Sequence, residues 1–275
     1  MSFFRTVTKL ALALFGAAAL CAALAAAYVF WLPDVRSLRK TPPKTTAYIE
    51  LRRRESAAKG RRLELRWTWV SSDAISENLK SAVVTAEDDT FYRHEGVDLG
   101  ALRAAWERDI KEGRLSVGGS TITMQLARNL YLSPSKNPLR KVKEILIARR
   151  LERELGKRRV LELYLNVVEW GKGIFGCEAA ARAYFAKSCA DLSPDEAVAM
   201  AVVLPNPRRW DPSQRGPYVE RNSARIVKRM AASGLWPDEG DSEDSTSPAD
   251  AVESPAPAPV PESRFMDVFA STVPD

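Results

Sequence analysis

Apolar and polar residues recur along this chain in an order that predicts α-helices over most of its length. From Ile75 to Leu235, alanine-rich segments repeat their apolar residues at helical spacing and are separated by glycine, proline or serine. Small polar residues and proline favour helix starts, which gives candidates at Ser76, Asp98, Ser120, Pro138, Ser193 and Pro217. The sequence therefore predicts one mostly α-helical domain over residues 75–237, without internal repeats.

A different pattern precedes this domain, in residues 34–74. The segments TTAYIELRRR (Thr45–Arg54) and RRLELRWTWV (Arg61–Val70) alternate apolar and polar residues, as half-buried strands do. They predict a small β-hairpin that turns at Ser56–Gly60. Before them, Lys40–Lys44 contains two consecutive prolines, which favour a stiff, extended spacer.

The N-terminal segment is apolar enough to predict a membrane anchor. Leu10–Pro33 contains 24 residues without a charge, enough to cross a bilayer as a helix and longer than the apolar core of most secretory signals. Tyr28 and Trp31 at its end fit an aromatic belt at the membrane interface. The alternative is a cleavable signal peptide, which the small residues Ala25–Ala27 would favour.

Charge is unevenly distributed along the chain. Residues 238–275 contain ten acidic residues and one basic residue among many prolines, serines and alanines, and this composition predicts a disordered tail. The first 237 residues therefore carry a formal net charge of +15, against +6 for the whole chain. Such a basic body predicts an anionic partner, which the charge alone leaves open as nucleic acid, a phospholipid surface or a phosphorylated substrate.

Histidine and cysteine usage excludes several chemistries. His94 is the only histidine, which excludes a multi-histidine metal site and disfavours a hydrolase triad, so a structural hydrogen bond is expected of it. Cys177 and Cys189 lack further ligands, which disfavours zinc and leaves either a disulfide or two unpaired thiols. No glycine-rich nucleotide motif follows a strand, so nucleotide binding is not indicated.

The stretch AEDDTFYRHEG (Ala86–Gly96) contains the first catalytic candidate. Glu87 ends an apolar run that begins at Ala82, and burial on such a support is expected to raise the pKa of its carboxyl. We therefore predict that Glu87 is a catalytic acid or base. These residues alone also allow the alternative that Glu87, Asp88 and Asp89 form a solvated helix end.

A second stretch, GGSTITMQLARNLYL (Gly118–Leu132), places several hydrogen-bonding groups on one face of a predicted helix. Ser120 or Thr121 is expected to cap this helix. The face carries Thr121, Gln125 and Arg128 or Asn129. Hydroxyl, amide and guanidinium groups at a helix start suit sugar hydroxyls or phosphate oxygens, whereas an ordinary amphipathic helix would explain only the periodicity.

A third stretch begins with PLRKVKE (Pro138–Glu144) and places cations around a glutamate. Arg140 and Lys141 precede Glu144 by four and three residues, so the three side chains are expected to meet. A carboxylate among cations should stay ionised, in contrast to Glu87. This difference is typical of one acid or base paired with one electrostatic partner, although a surface ion-pair network fits the segment alone equally well.

Five segments, in this order, resemble the motifs of the peptidoglycan glycosyltransferases. They are AEDDTFYRHEG, GGSTITMQLARN, RKVKE, VLELYLNVVEWGKGIFGCEAAARAYF and SPDEAVAMAVVLPNP, and they lie within Ile75–Met230. This family includes the N-terminal domains of class A penicillin-binding proteins and the stand-alone monofunctional biosynthetic transglycosylases. The LPNP segment at Leu204–Pro207, followed by RRW, is similar to the monofunctional branch.

The resemblance implies a lysozyme-like, mostly α-helical enzyme that polymerises lipid II into glycan strands. Glu87 matches the family's catalytic base, and Glu144 matches a second glutamate that helps to stabilise the pyrophosphate leaving group. Asp88 and Phe91 match residues beside the base. Positions that contact the donor match Ser120, Thr121, Gln125, Arg128, Asn129, Arg140 and Lys141. Arg128 stands where the family commonly has lysine, so the donor geometry is expected to differ there.

The resemblance also implies a location and partners. It implies a single-pass protein of the bacterial inner membrane, with residues 1–9 in the cytoplasm, residues 10–33 in the bilayer and the catalytic domain in the periplasm. The positive-inside rule alone favours the opposite orientation, because four basic residues follow the anchor and two precede it. The expected partners are lipid II, the growing glycan chain and the membrane, with penicillin-binding proteins or other cell-wall enzymes as further candidates, and no nucleic acid. No metal site is predicted, although Mg²⁺ or Mn²⁺ would suit a pyrophosphate group.

The sugar linkages implied by this resemblance predict an inverting reaction. An α-linked donor and a β-linked product imply one displacement without a covalent intermediate, and inverting enzymes separate their two carboxylates, so we expect Glu87 and Glu144 to be well separated. Two alternatives use the same fold. A glycan-cleaving enzyme would not need phosphate-binding cations, and an inactive membrane-anchored scaffold is disfavoured by the presence of both glutamates.

Overall fold

In the computed structural model, the described residues are 2–113, 119–135 and 137–237. The predicted disordered tail, residues 238–275, lies outside them, as does Gly118 of the second motif. The helices are α1 (Ser2–Phe30), α2 (Ala47–Ala57), α3 (Glu77–Glu87), α4 (Leu99–Glu112), α5 (Ile122–Tyr131), α6 (Pro138–Val167), α7 (Cys177–Phe185), α8 (Pro194–Val203) and α9 (Pro217–Ala232). Short strands are β1 (Arg66–Trp67), β2 (Glu169–Gly171) and β3 (Ile174–Phe175). The prediction of a mostly α-helical domain is confirmed.

Side-chain caps confirm most of the predicted helix starts. The capping residues are Ser76 (α3), Asp98 (α4), Thr121 (α5), Asn137 (α6) and Ser193 (α8), and each accepts a hydrogen bond from a backbone N–H of the first turn. Of the two candidates before α5, the cap is therefore Thr121 and not Ser120. Pro138 and Pro217 lie in the first turns of α6 and α9, where a missing N–H costs nothing.

The hydrophobic core lies between α5 and α6 and between α3, α8 and α9, which pack on one another. Helix α8 is almost entirely apolar after its capping box and is buried from Ala197 to Val203. The largest fully buried side chains are those of Trp170, Tyr164, Phe91 and Phe175. Because α3 and α5 are fixed by this core, the end of α3 and the polar face of α5 are held in defined positions.

The predicted hairpin over residues 45–70 is wrong. The first predicted strand is part of α2, because Thr46 caps this helix and Ile49 is completely buried on one face of it. The second contributes only β1, which pairs in parallel with β3. A small hairpin does exist in the described chain, but β2 and β3 form it, with strand order β1-β3-β2. The alternation over ten residues did not distinguish a strand from this helix, which buries only Ile49 fully and leaves its other residues at least partly exposed.

The N-terminal segment forms α1, whose last turn contacts the catalytic domain. Val29 is buried there, and the ammonium of Lys143 on α6 lies 4.2 Å from the centre of the Tyr28 ring. Most of the large apolar side chains described on α1 are exposed, among them Leu12, Phe15, Leu20 and Leu24. Among the residues that the structure describes, no helix has both the length and the apolarity required to cross a membrane.

Helix α6 is bent at Gly156, whose backbone has φ 74° and ψ 166°. This conformation is accessible almost only to glycine. The bend is followed at once by Lys157, which donates a hydrogen bond to the carbonyl oxygen of His94 and lies 4.4 Å from the centre of the Phe91 ring. Through these two contacts of Lys157, the residue after the bend joins α6 to the loop that follows Glu87.

Cys177 and Cys189 are buried free thiols whose sulfur atoms lie 3.2 Å apart. The structure thus contains the unpaired alternative. Burial raises the pKa of the Cys177 thiol well above its usual value, which makes it a poor nucleophile.

Candidate active site

Glu87 is the last residue of α3, and its carboxylate is held by one side chain. The amide nitrogen Nε2 of Gln125, on α5, lies 2.7 Å from Oε2 of Glu87 and donates a hydrogen bond to it. The other end of the same amide is also occupied, because the hydroxyl of Tyr164 lies 3.0 Å from Oε1 of Gln125. Glu87 is therefore attached to the core through two consecutive hydrogen bonds.

The environment of Glu87 raises the pKa of its carboxyl above the usual 4.5. Burial is the main cause, and the negative charge of Asp88 adds to it. The hydrogen bond from Gln125 and the positive charge of Arg128 act in the opposite direction. The prediction of a raised pKa is confirmed, and such a carboxylate accepts a proton more readily than a solvated one.

Glu87 faces a cleft of about 120 Å³ between the end of α3 and the starts of α4 and α5. The cleft is lined by Ala86, Glu87, Asp88, Asp89, Thr90, Asp98, Ala101, Gly119, Ser120, Thr121 and Arg229. At its rim the guanidinium of Arg229, on α9, pairs with Asp89 at 3.0 Å. Asp89 is exposed, as a solvated helix end would be, whereas Glu87 is not.

Asp88 ties the loop after α3 to the start of α5. Both of its carboxylate oxygens lie 3.0 Å from Nε2 of His94, and one accepts a hydrogen bond of 2.9 Å from the backbone N–H of Ile122. Asp88 is buried and its oxygens are occupied, so in this structure it braces the loop. The expectation that His94 makes a structural hydrogen bond is confirmed.

Glycine is required at the end of the first motif. Gly96 has φ 83°, and a Cβ atom at this position would lie 2.9 Å from the carbonyl oxygen of Ala148 on α6. The carbonyl of Gly96 accepts the hydroxyl of Thr121 at 2.7 Å, which leaves this hydroxyl fully used by its cap and this bond. Thr121 therefore joins the start of α5 to the loop that follows Glu87. Phe91 is completely buried and likewise supports the loop from beneath.

A second group of side chains surrounds Glu144, which is completely buried on α6. Its two oxygens pair with the guanidinium of Arg140 and with the ammonium of Lys141, the latter at 2.9 Å. Lys141 also donates a hydrogen bond of 2.6 Å to the hydroxyl of Ser120, a residue that lines the cleft. The predicted meeting of Arg140, Lys141 and Glu144 is confirmed.

The surroundings of Lys141 act on its charge. Burial lowers the pKa of its ammonium, the carboxylate of Glu144 opposes this effect, and the charges of Arg128 and Arg140 add to it. Since Lys141 touches both Ser120 and Glu144, it joins the cation group to the Glu87 cleft.

Arg128 is close enough to both groups to act on them through its charge. Its charge acts on the pKa of both Glu87 and Lys141, and its Nε is buried without a hydrogen-bond partner. A buried, unpaired donor is costly to keep unless a ligand supplies an acceptor. The neighbouring Asn129 is buried and donates from Nδ2 to the backbone carbonyl of Gln125 at 2.8 Å, so it stiffens α5.

The structure thus brings the predicted residues into two connected groups. Glu87 and Gln125 form one, and Glu144, Arg140, Lys141 and Ser120 form the other, and the charge of Arg128 acts on both. Glu87 and Glu144 have different hydrogen-bond partners and do not bond to each other. Within the described ranges, no cluster of three or more histidine, cysteine or acidic side chains is arranged to hold a metal ion.

Sequence reasoning missed two residues of this site. Tyr164 belongs to the fourth recognised motif, which was a usable signal, but nothing in the sequence indicated a partner 39 residues away for its hydroxyl. Arg229 lies after the recognised motifs, on the polar face of an amphipathic helix, and no sequence signal distinguished it from its basic neighbours.

Comparison with known proteins gives consistent matches over this region. The sequence profile of a family described as Transglycosylase matches residues 55–231. A protein of Aromatoleum aromaticum named biosynthetic peptidoglycan transglycosylase is 53% identical over 188 residues, which cover 68% of this chain and 81% of the relative. Proteins of the same name from Thiobacillus denitrificans and Nitrosospira multiformis are 45% and 40% identical, covering 77% and 76% of this chain and 88% and 91% of their own.

Proposed function

Because this chain belongs to the Transglycosylase family and is a peptidoglycan glycosyltransferase, we propose that it polymerises lipid II into β-1,4-linked glycan strands. The observation that carries this proposal is the pairing of two unlike sites. A carboxylate with a raised pKa faces a cleft, and a group of cations with one unpaired buried donor lies next to it. The first suits the removal of a proton, and the second suits a pyrophosphate leaving group.

Glu87 is the general base of the proposed reaction. Its carboxylate takes the proton from the 4-hydroxyl of the acceptor sugar while that oxygen attacks the anomeric carbon of the donor chain. The bond from this carbon to the undecaprenyl pyrophosphate breaks, the electron pair leaves with the pyrophosphate, and the configuration at the carbon is inverted. Separate hydrogen-bond partners for Glu87 and Glu144 support this division of roles.

The cations stabilise the charge that develops on the leaving group. Arg128 offers an unpaired Nε, and Arg140 and Lys141 are oriented by the buried carboxylate of Glu144. Glu144 therefore acts through these cations. Ser120 lines the cleft and can contact the substrates there. Gln125, which was expected to contact the donor, has both ends of its amide occupied and acts on Glu87 instead. Asp88, Phe91, Thr121 and Asn129 act by holding the loop and α5 in place.

The proposal includes a place for the enzyme in the cell. We propose that α1 attaches the lysozyme-like domain to the bacterial inner membrane, with the catalytic domain in the periplasm. The uncharged segment Leu10–Pro33 and the exposed apolar side chains of α1 support this attachment. A membrane-bound enzyme also meets a lipid-borne substrate in two dimensions.

The direct test incubates the purified full chain with lipid II and compares wild type with Glu87→Gln. We expect polymer from wild type and a turnover lower by about 10²–10⁴-fold in the variant, since this is the usual contribution of a general base. Glu77→Gln is the matched control, because the same change occurs on the same helix at an exposed residue outside the cleft. Repeating the assay with a chelator tests whether Mg²⁺ or Mn²⁺ takes part.

Three results would contradict the proposal or its assignment of the base. Shortening of preformed glycan by wild type, without polymer from lipid II, would indicate a glycan-cleaving enzyme. Inactivity of folded wild type on both substrates would indicate a scaffold. Full polymerisation by Glu87→Gln would show that Glu87 is not the general base.

A further inference from the structure

A buried tyrosine lies behind the proposed base, separated from it by one amide. The side chain of Tyr164 on α6 is completely buried, and its hydroxyl lies 3.0 Å from Oε1 of Gln125. Nε2 of the same amide lies 2.7 Å from Oε2 of Glu87. The three side chains thus form a continuous line of hydrogen bonds from the core to the cleft.

The carboxylate of Glu87, which can only accept, selects one of two orientations of this amide, and the hydroxyl of Tyr164 holds the amide in place from its other end. In the observed orientation the carbonyl of Gln125 accepts from Tyr164 and the amino group donates to Glu87. Rotating the amide by half a turn would place its carbonyl against the Glu87 carboxylate, so that two acceptors would face each other. A phenylalanine at residue 164 would fill the same space in the core but would leave the carbonyl of Gln125 without this hydrogen bond.

Fixing the amide also fixes the carboxylate. Oε2 of Glu87 is occupied by Gln125, whereas Oε1 has no hydrogen-bond partner in the part of the chain that the structure describes. Since Glu87 lines the cleft, Oε1 is the oxygen left to receive a proton. A fully buried hydroxyl is costly unless it is bonded, so its presence here is best explained by what it orients.

We propose that Tyr164 is a positioning residue for catalysis, which holds the Glu87 carboxylate through Gln125 with Oε1 directed towards the acceptor hydroxyl. This inference deepens the proposed function and rests on the role of Glu87 as the base. Its geometric part, the control of the Glu87 carboxylate by Tyr164, is independent of that role.

The test replaces Tyr164 by phenylalanine, which keeps the ring and removes the hydroxyl. Without its partner, Gln125 donates to Glu87 less of the time, and the ionised form of Glu87 is less favoured. The charges of Asp88 and Arg128, which also act on Glu87, are unchanged by this variant. We expect the acidic limb of the kcat/KM profile to move to higher pH by up to about one unit, because complete loss of one hydrogen bond to a charged group corresponds to a shift of at least that size.

A purely structural role would not move this limb, and a control separates the two. Tyr184→Phe removes a hydroxyl that bonds to the carbonyl of Trp170 at 3.2 Å, away from the cleft. We expect its pH profile to match that of wild type. In a Gln125→Met background, where the amide is absent, Tyr164→Phe is expected to cause no further shift.

The carboxyl of Glu87 can also be titrated directly, by infrared difference spectroscopy against Glu87→Gln. We expect Tyr164→Phe to titrate at higher pH than wild type. Incorporation of 3-fluorotyrosine at residue 164 preserves the packing and makes the hydroxyl a stronger donor, so it is expected to shift the titration in the opposite direction. If neither substitution moves the titration or the limb, the inference is overturned. If Glu87→Gln retains activity, the proposed base is wrong, while the titration still decides the role of Tyr164.

Discussion

At the scale of single residues, the surroundings of Glu87 disfavour its ionised form, whereas those of Glu144 favour it. Glu87 is kept by burial in a state that resists ionisation, and a neutral amide supplies its only hydrogen bond within the described chain. Glu144 is more deeply buried but has two cations against its oxygens. The first arrangement makes the ionised form of Glu87 unfavourable, as the proposed proton transfer requires, and the second holds two cations at fixed positions. Replacing each glutamate by glutamine should therefore change stability in opposite directions.

Glu87→Gln is expected to make the protein more stable at neutral pH. The folded-state pKa of Glu87 lies above its usual 4.5, so the folded protein binds this proton more tightly than the unfolded chain does. The free energy of unfolding is therefore reduced as pH rises from 4.5 through the folded-state pKa, and the full cost remains at higher pH. The variant removes this cost. Thermal unfolding should show a higher Tm than wild type at neutral pH and a difference that shrinks at acidic pH.

The opposite sign, or a difference that does not vary with pH, would contradict this prediction. The loss of activity expected for the same variant makes Glu87 a site where function is obtained at the expense of stability.

Glu144→Gln is expected to lower the free energy of unfolding by about 3 kcal/mol, because it leaves Arg140 and Lys141 close together without their counter-charge in a buried site. Urea denaturation of the variant and wild type measures this loss. Glu107→Gln is a suitable control, since its pair with Arg103 also joins residues one turn apart but is exposed. The control should change stability by less than about 1 kcal/mol. Equal effects of the two variants would mean that the Glu144 group is no more than a surface ion pair.

At the scale of secondary-structure elements, local signals and distant packing contributed differently. The caps at Ser76 and Ser193 and the grouping of cations with Glu144 were predictable, because each depends on residues within one helical turn. Helix α2 was not, since its alternating sequence satisfies a strand pattern and only the Thr46 cap and the burial of Ile49 decide for a helix. Periodicity fixes which side chains share a face, but it does not say which other element that face will meet.

The bend of α6 at Gly156 supports the site and can be tested at this scale. Gly156→Ala is expected to lower the free energy of unfolding by about 1–3 kcal/mol, because φ 74° with ψ 166° is strained for alanine even though no atom lies within 4 Å of the added Cβ. Gly216→Ala is the matched control, with equally open space and an ordinary φ of −82°. Its effect should stay within about 0.5 kcal/mol. Similar stability of both variants by urea denaturation would show that the bend carries no strain.

At the scale of the whole molecule, the site joins elements that are far apart in sequence. The residue types of the site were predictable from the motifs, whereas the contacts Tyr164 to Gln125, Lys141 to Ser120 and Arg229 to Asp89 were not. These contacts depend on how α3, α5, α6 and α9 pack around one core. The proposed attachment of the domain to a membrane belongs to the same scale, because it would decide on which side of the membrane the domain meets the proposed substrate.

The orientation can be measured by labelling a single surface cysteine in spheroplasts with a membrane-impermeant maleimide. Ala224→Cys, in a Cys21→Ser background, places a thiol on the exposed face of α9, while Cys177 and Cys189 are completely buried and should not react. If the domain is periplasmic, Ala224→Cys is labelled before permeabilisation, and the parent without this cysteine is not. The positive-inside rule argues for the opposite result, because four basic residues follow the uncharged segment and two precede it. Labelling that requires permeabilisation would place the domain in the cytoplasm, on the wrong side for the proposed polymerisation.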